Sequence, residues 1–218
     1  MRNWWKALAI ILLLYTVIAG FFIGVPRLAI LNETIRNLYF HVPMWFTMIL
    51  LFLLSTIQSI KNLGSGNLEA DRKAIEYVNT GIIFGILGTL TGAIWAKFTW
   101  GAWWTNDVKL NGSAITMLIY LAYIILRNSM DDEQKRARIA AVYNIFAFVM
   151  LIVFIGILPR MTDSLHPGNG GNPGFDTYAL DNNMKLVFYP AVIGWILLGL
   201  WIASIRIRLS IIKENIDS

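Results

Sequence analysis

The densest group of chemically informative residues is a tryptophan-rich segment near the middle of the 218-residue chain. It contains Trp100, Trp103, Trp104, Asp107 and Lys109, and it lies between two strongly apolar runs. An indole ring combines an apolar body with one N–H donor, so tryptophan prefers the boundary between membrane and water. The segment is therefore predicted to form a flat aromatic shelf at a membrane face. An ordinary interfacial belt is the alternative, although a belt needs no such local density.

The chain has only two histidines, His41 and His166, and the topology derived below places both at the same membrane face as the tryptophans. Neutral imidazole is a common iron ligand, and two imidazoles can occupy both axial positions of a haem. Trp45 follows His41 on the same helical face, and Pro43 suits the first turn of a helix. The pair suggests capture of a flat, apolar, metal-containing ligand such as haem. On these residues alone, an interfacial polar role for each histidine stays equally open.

The composition indicates an integral membrane protein, because 57% of the residues are hydrophobic and only 14% are charged. The net charge of +5 comes from cations at the ends of apolar runs, which is a signal of membrane topology and not a footprint for nucleic acid. The chain contains no cysteine. Disulfides, thiolate-bound metals and thioether attachment of haem are therefore excluded, and any haem must be held non-covalently.

The apolar runs predict an all-α membrane domain over residues 1–218, a bundle of six transmembrane helices. The spans are expected at about 4–25, 40–60, 78–96, 110–126, 139–158 and 185–205. The fourth is diluted by polar residues at its start, but removing it would put most lysines and arginines on the outer side. With six spans most cations fall on the side of the N-terminus, so both termini are predicted inside. The first span lacks a cleavage site after its apolar run, and we expect an uncleaved anchor.

Three external segments follow from this topology, at about 26–39, 97–112 and 159–184. The second contains the tryptophans, and the third contains His166 in a stretch rich in glycine and proline, which predicts a loop or cap without regular structure. Asp107 is expected to cap the following helix or to pair with Lys109. Four external cations could meet the carboxylates of a haem or simply anchor the interface: Arg36, Lys97, Lys109 and Arg160.

A second pattern concerns helix packing. Gly81, Gly85, Gly88 and Gly92 recur at spacings of four, three and four residues in the third span. This spacing places them in one smooth stripe, which predicts close approach of a neighbouring helix.

The run Trp100-Gly101-x-Trp103-Trp104-x-x-Asp107-x-Lys109-Leu110 resembles the "WWD" signature of haem-handling proteins in cytochrome c maturation. Within that group the chain is similar to the CcmC family in length, in its six spans and in having one external histidine on each side of the signature. His41 and His166 match the two family histidines. Larger WWD relatives, CcmF and CcsA, carry more histidines. The chain departs from the signature at Asn106, where tryptophan is common, and at Lys109, where arginine is common.

The resemblance implies a protein of the bacterial inner membrane that binds b-type haem non-covalently and transiently on the periplasmic side. Its metal ligands would be His41 and His166. It would help to load a CcmE-like haem chaperone, alongside a CcmA-like ATPase, a CcmB-like permease and a small CcmD-like subunit. No motif of a known enzyme is present, so delivery is expected instead of catalysis. The alternatives are a b-type cytochrome subunit, which normally holds its histidines within the bundle, and a transporter permease that needs no haem.

Overall fold

The computed structural model describes residues 3–26, 31–166 and 180–217, and every structural statement below refers to these residues. Part of the third predicted external segment, residues 167–179, lies outside them. The described chain is almost entirely helical and contains six helices long and apolar enough to cross a membrane, as predicted. The α-helices are α1 (Trp4–Phe22), α2 (Leu38–Ser65), α3 (Leu68–Trp100), α4 (Val108–Asn128), α5 (Glu133–Leu151), α6 (Leu158–Met161) and α7 (Asn182–Asp217).

Two irregular helical pieces complete these spans. A 3₁₀ helix at Asn32–Asn37 leads directly into α2, and a π-helical segment at Ile152–Ile157 joins α5 to α6 as one continuous span. The site described below lies at the end of the bundle where α2 and α4 begin and α3 and α6 end; we call this the site end.

Several helices run well past the apolar stretches that predict them. α2 continues to Ser65 and α3 already begins at Leu68, so only two residues connect them. Gly66 adopts a left-handed conformation with φ of 67°, which ends α2, and the Asn67 side chain accepts the backbone N–H of Glu69 to begin α3. Hydropathy marks only the part of a helix that suits a membrane, whereas the caps set where the helix ends.

The predicted glycine stripe forms the contact between α3 and α2. The four glycines face successive side chains of α2: Gly81 faces Phe52, Gly85 faces Met48, Gly88 faces Trp45 and Gly92 faces His41. Gly85 also faces Met117 of α4, which lies nearer to it than Met48 does. A Cβ added at any of them would stand closer than 3.0 Å to its partner, so no larger residue fits without movement. This close approach confirms the packing prediction and brings the first histidine against α3.

Buried polar contacts hold the opposite end and the interior of the bundle. Arg127 on α4 donates two hydrogen bonds to Asp71 on α3, at 2.7 and 2.5 Å, and both side chains are buried. Deeper in the bundle Asn144 donates to the hydroxyls of Ser55 and Ser59 on α2. These contacts tie α4 to α3 and α5 to α2, and so support the scaffold of the site.

Candidate functional site

The first histidine is held between α2 and α3. The Nδ1 atom of His41 lies 2.9 Å from the backbone oxygen of Gly88 and 3.2 Å from the hydroxyl of Thr91. A carbonyl oxygen can only accept a hydrogen bond, so Nδ1 carries the proton and donates it. The Nε2 atom of this neutral ring keeps its lone pair. Gly92 makes room for the ring, because a Cβ there would lie 2.6 Å from Cε1 of His41.

Asp107 accepts hydrogen bonds from two segments of the chain in the part of the site that contains the second histidine. Its side chain is only 1% exposed, and it caps α4 as predicted by accepting the backbone N–H of Lys109 at 2.9 Å. The second carboxylate oxygen accepts the hydroxyl of Ser164 at 2.9 Å and the backbone N–H of Leu165 at 2.8 Å. The carboxylate therefore ties the start of α4 to the segment that follows α6.

The second histidine belongs to that tied segment. The Nδ1 atom of His166 lies 3.0 Å from Oδ1 of Asp107. Two indoles flank its ring: the Trp100 ring is edge-to-face with a centroid distance of 5.0 Å, and the Trp95 ring is tilted by 31° at 6.1 Å. Because the carboxylate accepts, Nδ1 again donates and Nε2 keeps its lone pair. Within the described residues no hydrogen bond reaches the Nε2 atom of either histidine.

The electrostatic environment keeps Asp107 charged and His166 neutral, which are the states that the hydrogen bond between them requires. Burial alone would raise the pKa of Asp107, but the hydrogen bonds from Leu165 and Ser164 and the proximity of His166 hold that pKa below its usual range. Burial lowers the pKa of His166 to about 4; Asp107 opposes this shift and Lys109 adds to it. At neutral pH the carboxylate is therefore charged and the imidazole is neutral.

Both histidines line one cavity of about 330 Å³ between α2, α3, α4 and the α5–α6 span. Three tryptophans, Trp45, Trp95 and Trp104, also line it. The rest of the wall is mostly aliphatic, with contributions from every one of these helices. The volume falls within the range of sites for small molecules and cofactors.

The tryptophans of the predicted shelf take three different places. Trp104 lines the cavity, and its Nε1 donates to Asn111 at 3.3 Å. Trp100 does not line the cavity, but its ring packs edge-to-face against the ring of His166. Trp103 is 58% exposed and lies outside the cavity. Trp95 also belongs to the site but is not among the predicted residues, although its position at the end of the third predicted span, five residues before Trp100, is a signal that could identify it.

The four external cations also separate into two groups. Arg36 donates to the backbone oxygens of Gly20 and Ile23 and so ties down the end of α1. Lys97 donates to the oxygen of Gly101 at the end of α3. Lys109 and Arg160 instead line the cavity. The Nζ atom of Lys109 is buried and has no hydrogen-bond partner in the described part of the chain.

The fold and this cavity together define a six-span, helical membrane protein with two imidazoles and several indoles around one apolar site. The whole chain, residues 1–218, matches the family model described as "CcmC: Heme exporter protein C". The chain belongs to this family.

Individual relatives share between 22% and 35% of the aligned residues with this chain in the three examples that follow. Heme exporter protein C of Haemophilus influenzae is 25% identical over 191 residues, which cover 84% of this chain and 74% of that protein. Heme exporter protein C of Escherichia coli is 22% identical over 177 residues, covering 81% and 70%. Cytochrome c biogenesis protein CcsA of Prochlorococcus marinus is 35% identical over only 89 residues, covering 41% of this chain and 28% of that protein.

Proposed function

We propose that this chain binds haem non-covalently in the cavity, with the Nε2 atoms of His41 and His166 as its two axial ligands. One observation carries the proposal. Both imidazoles line the same cavity, and in each ring Nδ1 donates to a fixed acceptor, which leaves Nε2 as the atom able to bind a metal. Metal-ligating histidines commonly have this arrangement, because the acceptor fixes the tautomer and the orientation of the ring.

The donor set also fits a metal that arrives in a macrocycle better than a bare ion. Among the described residues no group of three or more His, Cys, Asp or Glu side chains could hold a metal ion. Two imidazoles match the vacant axial positions of a haem iron, whose other four ligands belong to the porphyrin. The indoles of Trp45, Trp95 and Trp104 offer apolar surface to the macrocycle. Lys109 and Arg160 are the cations placed to meet its propionates.

The role that follows is reception and delivery of haem as cargo, without catalysis. Relatives named heme exporter protein C and cytochrome c biogenesis protein CcsA support a role in haem handling for cytochrome c maturation. We propose that the chain hands b-type haem transiently to a CcmE-like chaperone. It would work in a complex with a CcmA-like ATPase, a CcmB-like permease and a CcmD-like subunit.

We further propose that the site end faces the periplasm of a bacterial inner membrane. The opposite end contains Asp71 with Arg127 and Glu76 with Arg206, and the helix ends and terminal segments that the topology assigns to that side include most of the lysines and arginines. An excess of cations is typical of the cytoplasmic side of a membrane protein. Both termini would then be cytoplasmic, and the lipid bilayer would surround the six long helices.

The test is an absorption spectrum of the purified protein titrated with haem. The wild-type protein is expected to give the low-spin spectrum of iron with two histidine ligands, and acid extraction should remove the haem intact. His41→Ala and His166→Ala should each lose this spectrum and bind haem more weakly. Met161→Ala is the matched control, because Met161 lies at the site end, is 75% exposed and does not line the cavity.

Two results would overturn the proposal. One is full haem occupancy with an unchanged spectrum in both histidine variants, which would exclude axial ligation by these residues. The other is a wild-type protein that binds no haem at all, as expected for a haem-independent permease. Redox cycling of the bound haem by quinol would instead favour a b-type cytochrome subunit.

A further inference from the structure

The two histidines have unlike partners at Nδ1, although their tautomers are the same. His166 donates to the carboxylate of Asp107, which carries a full negative charge and is almost completely buried. His41 donates to the backbone oxygen of Gly88 and the hydroxyl of Thr91, which are both neutral. The Thr91 hydroxyl already donates its own hydrogen to the backbone oxygen of Leu87 at 2.8 Å, so it faces His41 as an acceptor.

A carboxylate acceptor polarises an imidazole more strongly than a neutral one does. It draws the Nδ1 proton toward itself, gives the ring partial imidazolate character and makes Nε2 a better electron donor. The effect is stronger in a buried site than in water, because the surrounding dielectric constant is lower. The two rings would therefore differ in donor strength even though both are neutral.

The carboxylate is also held too firmly to turn away from the ring. Besides His166, it accepts backbone N–H groups from Lys109, Leu110 and Leu165 and the hydroxyl of Ser164. These donors come from both the start of α4 and the segment after α6. Asp107 thus stays in place whether or not His166 has a ligand.

We propose that Asp107 is a positioning residue that makes His166 the stronger axial ligand of haem and leaves His41 as the ligand that exchanges first on delivery. This inference rests on the proposed function. In exchange, the bond between iron and Nε2 of His41 breaks while the bond to Nε2 of His166 persists, and a donor from the receiving partner occupies the freed position. The iron keeps its oxidation state, and no proton leaves either ring.

The first experiment compares Asp107→Asn with Thr91→Val in purified, haem-loaded protein. Asparagine is as good a helix cap as aspartate, so α4 should be preserved while the charge is lost. We expect Asp107→Asn to accelerate haem dissociation about 10- to 100-fold and to raise the midpoint potential, because a weaker donor stabilises ferric iron less. Thr91→Val keeps the shape of the side chain and the Gly88 acceptor, and it should change both quantities far less.

A second experiment separates an effect through His166 from an effect of charge through space. His41→Gly and His166→Gly are each loaded with haem and supplied with 1-methylimidazole, which can ligate iron but has no N–H to donate. Asp107→Asn should still raise the potential in the His41→Gly background. It should have no effect in the His166→Gly background, where no iron ligand donates to the carboxylate and only the N–H groups and the hydroxyl of the protein frame remain. Equal shifts in both backgrounds would overturn the proposal.

The outcomes also separate this inference from the proposed function. If the wild-type protein lacks a spectrum with two histidine ligands, the proposed function fails. If that spectrum is present but Asp107→Asn behaves like Thr91→Val in dissociation and potential, only the present inference fails. Ser164→Ala controls for the folding of the tied segment, because it removes one hydrogen bond from Asp107 and the hydroxyl's contacts with the backbone N–H and Nδ1 of His166, at 3.2 and 3.3 Å, but leaves the carboxylate facing His166. It should keep the wild-type potential.

Discussion

Gly92→Ala is expected to weaken haem binding while leaving the bundle folded. The added Cβ would lie 2.6 Å from Cε1 and 3.2 Å from Nδ1 of His41. Ordinary contacts between carbon atoms are about 3.5 Å or more, so the ring must retreat by roughly 0.9 Å. That retreat would lengthen its 2.9 Å hydrogen bond to the backbone oxygen of Gly88 and move Nε2 away from its place in the cavity.

The magnitude follows from the cost of overpacking. An added methyl in a tightly packed position costs about 1–3 kcal/mol, and each 1.4 kcal/mol corresponds to a factor of about ten in affinity. If the ring must return to its original position to bind iron, haem affinity should fall about 5- to 100-fold. Alanine otherwise favours a helix over glycine by roughly 1 kcal/mol, so the apoprotein should not lose much stability.

The assay is haem titration in detergent with the absorption spectrum and the apparent Tm recorded for each variant. Gly64→Ala controls for helix propensity, because a Cβ at Gly64 in α2 has no neighbour within 4 Å. Gly81→Ala controls for overpacking away from the site, because its Cβ would meet Phe52 instead of a histidine. Wild-type affinity in Gly92→Ala would refute the reasoning, and so would an equal loss in Gly81→Ala at equal folded concentration.

Three further predictions concern other parts of the molecule. Trp104→Ala should reduce haem affinity about tenfold or more, because it loses burial worth about 1.5–3 kcal/mol. Trp103→Ala should leave the affinity unchanged, because that ring lies outside the cavity. Equal effects of the two variants in haem titrations would contradict this prediction. Asp71→Leu alone should destabilise the fold by about 3–5 kcal/mol, and adding Arg127→Met should restore most of the loss, as measured by the apparent Tm in detergent. The pKa of His166 is about 4 in the folded protein and about 6.5 in the unfolded chain, so between these pH values the unfolded state binds more protons. The apparent Tm of the apoprotein should therefore be highest above pH 6.5 and fall as the pH is lowered toward 4. His166→Asn should make that fall smaller.

The sequence predicts well those features that depend on the composition and spacing of residues close together in the chain. Six apolar runs identify the six long helices. Five runs alone are long enough to cross a membrane, and the distribution of lysines and arginines decides in favour of the marginal fourth. The spacing of the glycines identifies a smooth helical face, and the structure places α2 against it. The cap at Asp107 is also local, since the carboxylate reaches backbone N–H groups two and three residues ahead.

The rest of the site depends on contacts between segments that are distant in the chain. Nothing in the spacing of Asp107 and His166 indicates that the carboxylate meets Nδ1, because that contact requires α4 and the end of α6 to lie side by side. The division among the tryptophans has a similar origin. Gly101 ends α3 with φ of 79°, and the chain turns there, so helical periodicity no longer determines which indole faces the cavity. For Trp95, which still belongs to α3, helical spacing can predict which side of the helix the indole occupies.

The two halves of the site are held by different kinds of structure, and this difference predicts how each half responds to change. His41 is placed by the packing of two long helices, where a glycine stripe leaves no free space between the ring and α3. His166 is placed by a single carboxylate that joins the start of α4 to the segment after α6. Substitutions next to His41 in the α2–α3 contact should therefore act by displacing its ring. Substitutions at Asp107 should act by changing the donor strength of His166 and the attachment of its segment. A change in affinity with an unaltered potential would indicate the first kind of effect, and a change in potential would indicate the second.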